Sequence, residues 1–285
     1  MFIKPNAHLL CHLATVAVLL RWLPVQAQSK LTQLIQANAV EIPARTVATP
    51  ALYKIIESKK AILIGEMHGT KEPTEFTQGV VETLLSQKKR VVLGLEAIGT
   101  RADKYLKAGQ LDSLRAYWKT LFLMDGRHNA AWLKLAWKYH DHPNVTLVLF
   151  DQTDEQVPRW SRDRSMAENL LAVLRQQPNA VLVTLSGNIH NQLKPFNETE
   201  TMGYYLHTLP NAPFKPEQML SSTHFYGAGT MINNQGDGMK LRQVPDQSGE
   251  FSTAVPYPNY FMISDVFPMW NSLLFTRTVT AAEEP

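Results

Sequence analysis

The segment AILIGEMHGT, residues 61–70, decides the fold, because it is an uninterrupted apolar run that leads directly into Glu66 and His68. Three more runs of this kind follow, each ending on a polar or acidic side chain. They span residues 90–96, 145–151 and 180–188. Nearly continuous Val, Ile and Leu, without alternation, is typical of strands buried on both faces of a parallel sheet. The four runs therefore predict the core strands of such a sheet.

Segments with helical periodicity separate these runs. They span residues 73–87, 111–123, 129–139 and 161–177. Alternation of strands and helices with right-handed crossovers builds a sheet that is covered on both sides. We therefore predict an α/β fold with a mostly parallel central sheet and helices on both faces.

The spacing of the segments predicts one α/β domain over residues 28–285, a length common for this class. The long connection at 97–144 holds extra helices, and we expect it to form a helical cap insertion. Residues 191–260 are rich in Pro, Gly and Asn, which predicts an irregular lid or short hairpins rather than a bare loop. Residues 261–267 are a candidate last strand, and the tail after Thr278 is expected to be disordered.

The N-terminus has the pattern of an export signal. Lys4 precedes an apolar stretch at 8–20, and a small-x-small triplet ends at Ala27. We expect a signal peptide over residues 1–27, cleaved after Ala27, and a periplasmic or secreted mature protein. The stretch is short for spanning a bilayer, so we expect no stable membrane insertion after cleavage, with an uncleaved anchor as the alternative. Cleavage removes Cys11, the single cysteine, and with it thiolate chemistry.

Composition narrows the classes of function. Hydrophobic residues make up 45% of the chain, charged residues 19%, and the formal net charge is +3. The basic residues are scattered and not interleaved with aromatics, so we expect no nucleic-acid partner. The sequence has no phosphate-binding loop, no G-x-S-x-G serine elbow and no H-E-x-x-H zinc helix. A small-molecule or peptide substrate is the expected partner, and the oligomeric state is left open.

Polar side chains follow the four predicted strands where each strand ends. They are Glu66, His68, Glu96, Asp151, Asn188 and His190. Ligands of open parallel sheets bind outside the carboxyl ends of the strands, where a low-dielectric core shifts pKa values. An acid at such a position also commonly caps the following helix, but histidine is a poor cap. The two histidines therefore favour a shared polar site at this edge.

Other residues are candidates for the same site. Arg164 falls in the first turn of a predicted helix, where its charge opposes the helix dipole. It would hold a substrate anion or an active-site glutamate, or else form a surface salt bridge. Arg127 precedes another helix and lies where the cap would cover the site. The candidate substrate-binding residues are Glu75, Arg127, Asp151 and Asn188.

Four short motifs resemble one superfamily in their order and in their positions at strand ends. They are GEMHGT (65–70), GLE (94–96), RDRSMAENL (162–170) and GNIH (187–190). Together they are similar to the superfamily of erythromycin esterases, ChaN-like proteins and Tiki/TraB proteins, over residues 61–190.

The esterase branch implies a metal-free activation of water by a glutamate and a histidine. Carried over to this chain, those residues are Glu66 and His68, assisted by Glu96, Arg164 and His190. The esterases usually have two residues between that glutamate and histidine, whereas this chain has only Met67.

The other two branches imply a bound group. In the Tiki branch, a Gly-x-x-His motif serves a metal-dependent peptidase, and residues 65–68 and 187–190 both have that spacing. In the ChaN-like branch, exported proteins bind haem through a tyrosine, and no tyrosine here matches a position that carries over. A divalent metal and haem are therefore the two cofactors to consider.

We expect an exported hydrolase that acts on an ester or amide. His68 or Glu66 would be the general base, His190 a second acid/base, Glu96 an orienting group, and Arg164 a stabiliser of negative charge. If a divalent metal binds, its ligands would be His68, His190, Glu66 and Glu96. The alternative is an exported haem- or metal-binding protein without catalysis.

Overall fold

The computed structural model describes residues 25–42, 49–234, 236–246 and 248–285. The helices are α1 (Val25–Asn38), α2 (Pro50–Ile56), α3 (Glu72–Ser86), α4 (Gly99–Lys107), α5 (Leu111–Asp125), α6 (Ala130–Tyr139), α7 (Arg162–Gln176), α8 (Met202–Thr208) and α9 (Glu250–Thr253). The strands are β1 (Val40–Glu41), β2 (Ala61–Glu66), β3 (Val91–Leu95), β4 (Val145–Leu149), β5 (Val181–Gly187), β6 (Met219–Asn234), β7 (Met239–Val244), β8 (Asn259–Ile263) and β9 (Ser272–Val279).

Most of the predicted signal peptide lies outside the described residues. Its predicted cleavage site after Ala27 falls within α1, and cleavage and export stay predictions. In the described part of the chain, no helix is long and apolar enough to cross a membrane.

The strands form one mixed sheet in the order β1-β8-β9-β6-β2-β5-β3-β4, with β7 paired to the outer half of β6. The pairs from β9 through β4 are parallel, whereas β1, β7 and β8 pair antiparallel to their neighbours. The predicted α/β fold with a mostly parallel central sheet is confirmed. The four strands expected from the apolar runs are β2 to β5.

Helices cover both faces of this sheet, as β2 illustrates. Ile62 and Ile64 pack into a core with α2, α3 and the cap helices, whereas Ala61 and Leu63 pack into a second core with α7 and α8. Alternate side chains of a strand point to opposite faces, so a doubly covered strand needs apolar residues on both faces. A third cluster, around Phe251 and Phe275, joins α1 and α9 to β8 and β9.

Two regions differ from the sequence-based expectation. The connection at 97–144 holds three helices, since α4 precedes the two that were predicted. The weakly patterned stretch at 191–260 contains α8, a hairpin of β6 with β7, and in β6 a strand of the sheet interior. β6 lies between β2 and β9, with its buried beginning at Met219 and its exposed end at Asn234.

The chain end is also ordered, contrary to prediction. Strand β9 lies after the expected last strand at 261–267 and continues to Val279. Ala281 then forms a β-bridge with Thr70, beside the first motif. Ala282 is buried, and its N–H donates to the carbonyl oxygen of Gly69 at 2.8 Å. The tail therefore packs against the loop that follows β2.

Candidate active site

Four neighbouring strands deliver polar side chains to one edge of the sheet. In spatial order, β2 ends at Glu66, β5 leads to His190, β3 leads to Glu96, and β4 leads to Asp151. All four strands are parallel, so these residues meet at the carboxyl end, as the sequence predicted. The cap adds Arg127 from the turn between α5 and α6.

Glu66 and His68 form a hydrogen-bonded pair. The Nδ1 atom of His68 lies 2.6 Å from Oε1 of Glu66, and because an ionised carboxylate only accepts, Nδ1 is the protonated nitrogen. The other oxygen, Oε2, accepts from the indole Nε1–H of Trp132 at 3.0 Å. The side chain of Glu66 is 1% exposed and that of His68 is 30% exposed. The pair therefore presents its imidazole to solvent and keeps its carboxylate buried.

Glu96 is the centre of the site. Its Oε2 accepts from the backbone N–H of Gly187 at 2.7 Å. Its Oε1 accepts from Nη1 of Arg127 and, at 2.5 Å, from Nη2 of Arg162. Burial alone would raise the pKa of Glu96, but the charges of His190 and the two arginines outweigh burial and lower the pKa. Glu96 is therefore a fully buried, ionised carboxylate.

Each arginine also binds a second carboxylate. Arg162 forms a two-pronged pair with Asp151, with Nε donating to Oδ1 at 2.8 Å and Nη2 to Oδ2 at 2.7 Å. Arg127 pairs with Asp125, its Nε donating to Oδ2 at 2.8 Å. Planar guanidinium groups suit such bidentate contacts. Glu96 is thus held from two sides, by Arg162 of α7 and by Arg127 of the cap.

His190 has two different partners. Its Nδ1 lies 2.9 Å from Oδ1 of Asp163, and its Nε2 lies 3.0 Å from Nη1 of Arg162 and 3.5 Å from Oε1 of Glu96. An arginine only donates, so this arrangement is that of the neutral ring, with Nδ1 protonated. Burial alone lowers the pKa of His190, but the charges of Glu96 and Asp163 outweigh it and raise the pKa. A second proton on Nε2 would face Glu96 and displace Arg162.

The two histidines lie against the same glycine. A methyl group built on Gly187 would lie 3.0 Å from Nε2 of His68 and 3.6 Å from Cδ2 of His190. The imidazoles therefore share one cleft, with Arg162 and Glu96 beside His190 and Glu66 behind His68. This is the arrangement needed for one substrate to meet both rings.

The chain shares its fold with proteins of known structure. A succinoglycan biosynthesis protein aligns with a TM-score of 0.64 at 10% identity, over 91% of this chain and 99% of that one. A protein from Bacillus cereus aligns with a TM-score of 0.58 at 12% identity, over 90% and 99%. A mutant of the erythromycin esterase EreC in its open conformation gives a TM-score of 0.48 at 11% identity, over 81% and 93%.

The first two likenesses establish the fold alone, because the identities are low. Neither the profiles of known protein families nor the curated proteins give a match to this sequence. The chemistry of the site must therefore be argued from the side chains of this chain.

Two predicted site residues lie elsewhere. Arg164 does not reach Glu96; its guanidinium lies over the ring of Trp160, with 5.7 Å between Cζ and the ring centroid. Glu75 is exposed on α3, where its charge interacts with Lys71 and Lys134. The prediction that Arg164 binds an active-site glutamate is wrong, because Arg162 binds Glu96 instead.

Arg162 was missed, although the sequence carries a signal for it. Residues four apart on a helix share a face, and Arg162, Met166 and Leu170 form such a series. Met166 and Leu170 are fully buried against the sheet, so Arg162 points to the sheet edge and Arg164 points away. No sequence pattern indicated the hydrogen bond from Trp132 to Glu66, because Trp132 has the helical spacing of an ordinary core residue.

The side-chain amide of Asn188 forms its hydrogen bonds with backbone groups and not with side chains of the cleft. Its Oδ1 accepts from the N–H of His224 at 2.7 Å, and its Nδ2 donates to the carbonyl oxygen of His224 at 3.1 Å. The predicted substrate-binding role is therefore replaced by a structural one. Of the predicted substrate-binding residues, Arg127 and Asp151 do lie in the Glu96 cluster.

The proposed metal ligands do not fit a divalent ion. Glu96 is engaged by two guanidinium groups, and both oxygens of Glu66 already accept hydrogen bonds. Within the described residues, no group of three or more His, Cys, Asp or Glu side chains is arranged to hold a metal. The positive charge near the carboxylates is supplied by Arg127 and Arg162 instead.

Proposed function

We propose that this protein is a hydrolase in which His68 activates water for attack on an ester or amide. The observation that carries the proposal is the Glu66–His68 pair, in which a buried carboxylate binds Nδ1 of an imidazole whose side chain is 30% exposed. Export, expected from residues 1–27, is part of the same proposal.

His68 is the general base of the pair. The hydrogen bond to Glu66 fixes the tautomer with its lone pair on Nε2, which has no hydrogen-bond partner in the described part of the chain. A buried carboxylate that orients an imidazole also stabilises the ring once it has taken a proton. Glu66 itself is unsuited to the role of base, because Trp132 and His68 occupy both of its oxygens.

Water is the nucleophile that this arrangement favours. Ser186 and Ser222 are buried, and their hydroxyl groups donate to Oδ1 of Asn191 and to the carbonyl oxygen of Leu63. Nε2 of His68 takes one proton from water as the water oxygen bonds to the substrate carbonyl carbon. The C–O or C–N bond then breaks, and the leaving group receives that proton from the protonated His68.

Arg162 is positioned to stabilise the negative charge that develops on the carbonyl oxygen. Its side chain is 37% exposed, the most open of the charged groups around Glu96. Asp151 and Glu96 hold its guanidinium before substrate arrives, and pre-oriented donors are the effective ones. His190 accepts a hydrogen bond from Nη1 of Arg162 on its Nε2 and so helps to hold the guanidinium in place.

The proposal is tested by screening the purified chain against esters and amides, with and without a chelator. His68→Gln is expected to lower kcat by at least about 1,000-fold, since it removes the base, whereas chelator leaves kcat unchanged. Arg164→Gln, which alters a charge outside the cleft, is the matched control and should retain activity.

Equal activity of His68→Gln and wild type would overturn the proposal, and activity lost to chelator would replace it with a metal mechanism. A haem titration of the same samples tests the non-catalytic alternative.

A further inference from the structure

The two strands that flank β2 pair with it over different lengths. It pairs with β6 up to Ile64 and Ser222, but it continues along β5 for two more residues, to Glu66 and Gly187. Beyond Ser222, the inner edge of β6 has therefore lost its strand partner. Buried backbone groups left in that state are costly unless something else binds them.

The side chain of Asn188 fills this gap. It reaches across the end of β2 to His224, where its oxygen accepts the backbone N–H and its nitrogen donates to the backbone carbonyl. These two bonds are those that a neighbouring strand would make. The crossing needs a glycine beneath it, because a methyl group on Gly65 would lie 2.3 Å from Oδ1 of Asn188.

His224 connects Asn188 to the first motif. Its ring is fully buried, with Nδ1 3.5 Å from the backbone nitrogen of Met67 and Nε2 3.2 Å from Oγ1 of Thr276. Met67 stands between Glu66 and His68. The indole of Trp270 also donates to the carbonyl oxygen of Asn188 at 3.0 Å, which fixes the turn from which Asn188 projects.

The two Gly-x-x-His segments, 65–68 and 187–190, thus interlock reciprocally. Gly65 makes room for Asn188 of the second segment, and Gly187 makes room for His68 of the first. We propose that Asn188 is a positioning residue, which acts through His224 and Met67 to hold the imidazole of His68 against Gly187. The inference rests on the proposed function only for its effect on rate, since the geometry it predicts is measurable without a substrate.

The chain offers a matched control at the beginning of β6, before His224. The amide of Asn271 also makes two bonds to the backbone of this strand, accepting from the N–H of Ser221 at 2.8 Å and donating to the carbonyl oxygen of Met219 at 3.0 Å. It lies at the beginning of β6, away from the carboxyl-end cleft. Asn188→Ala and Asn271→Ala therefore remove equivalent bonds from one strand at different distances from His68.

The test is the imidazole nitrogen NMR spectrum of the full chain, with the His68 signal assigned by its loss in His68→Gln. We expect Asn188→Ala to shift the His68 signals and mix its tautomers, while Asn271→Ala leaves them unchanged at a comparable loss of thermal stability. Unchanged His68 signals in Asn188→Ala, or equal changes in both variants, would overturn the inference. If Asn188→Ala does not fold, Asn188→Asp, which keeps the oxygen for the N–H of His224, is read by the same criteria.

Activity gives the second readout. We expect kcat of Asn188→Ala to fall about 100-fold with little change in KM, the size of effect that a misplaced catalytic group produces. Should wild type hydrolyse nothing in the screen, the proposed function fails, while the His68 signals still decide whether Asn188 positions the ring.

Discussion

At the scale of single residues, the neighbouring Arg162 and Arg164 have separate tasks. Arg162 binds Glu96, Asp151 and His190 at the cleft, whereas Arg164 lies over Trp160. Replacement of Arg162 by Lys keeps the charge and removes the planar fork. We expect Arg162→Lys to lower kcat/KM about 100-fold, the cost typical of a lost oxyanion donor. Arg164→Lys should stay within about twofold of wild type, and equal losses in both variants would contradict the assignment.

Trp132 and Trp118 provide a second matched pair. The indole N–H of Trp132 binds Oε2 of Glu66, whereas that of Trp118 is buried without a hydrogen-bond partner among the described residues. Both are fully buried, so replacement by Phe removes similar apolar area. Trp132→Phe should therefore lower the free energy of unfolding by about 2 kcal/mol more than Trp118→Phe, because a bond to a charged group is lost. Denaturant titration measures both, and equal losses would show that the bond to Glu66 contributes nothing.

The sequence pointed to the acids and imidazoles of the site and to Arg127, but not to Arg162 or Trp132, which also hold the carboxylates. Glu66, Glu96 and His190 were found because they follow apolar runs, which is a local signal. Trp132 and Asn188 act through contacts with residues distant in sequence, so their roles follow only from the fold.

At the scale of elements, β2 to β5 were predictable and β6 was not. Strands β2 to β5 are mostly Val, Ile and Leu, a pattern that a single sequence displays. The beginning of β6 is equally buried but contains Ser221, Ser222 and His224. Their polar atoms bind residues of other strands and turns, such as Leu63 and Thr276, so the strand is stable in place yet lacks an apolar pattern.

The tail after β9 is an element that closes the cap side of the site. Five hydrogen bonds made by its backbone atoms tie it to α3, to β6, to the loop after β2 and to α6. The N–H groups of Thr280 and Ala281 donate to side-chain oxygens of Glu72 and Thr230, and three backbone bonds join Thr280 to Lys71, Ala282 to Gly69, and Glu283 to Ala130. At about 1 kcal/mol net for each bond, deletion of residues 280–285 should lower the free energy of unfolding by about 5 kcal/mol.

Denaturant unfolding of the truncated chain measures this loss. Glu284→Gln is its control, because it removes only the exposed ion pair with Lys119, for which we expect no measurable change. An unfolding midpoint that survives the truncation would show that the tail is not part of the folded unit.

At the scale of the whole molecule, buried histidines make stability depend on pH. Burial lowers the pKa of His128 to about 4 and that of His224 to about 3, from an ordinary value of 6.5. His128 lies between Trp118 and Trp132 with both ring nitrogens unpartnered, a neutral ring in an apolar sandwich. A group whose pKa is lowered by folding stabilises the native state above its unfolded pKa, and this stability is lost as the pH falls.

The sign of the resulting pH dependence follows from proton uptake. Below pH 6.5 the unfolded chain increasingly protonates His128 and His224 while the folded chain does not, so each contributes a loss of about 1.5 kcal/mol between pH 6.5 and pH 5. His190, whose pKa is raised by folding, acts in the opposite direction: its contribution to stability is fully present below the unfolded pKa and is lost as the pH rises. Denaturant unfolding at pH 6.5 and pH 5 should therefore show a fall of about 3 kcal/mol, reduced by about half in His128→Phe. A stability that is flat over this interval would mean that the two rings are charged or solvated in the native protein.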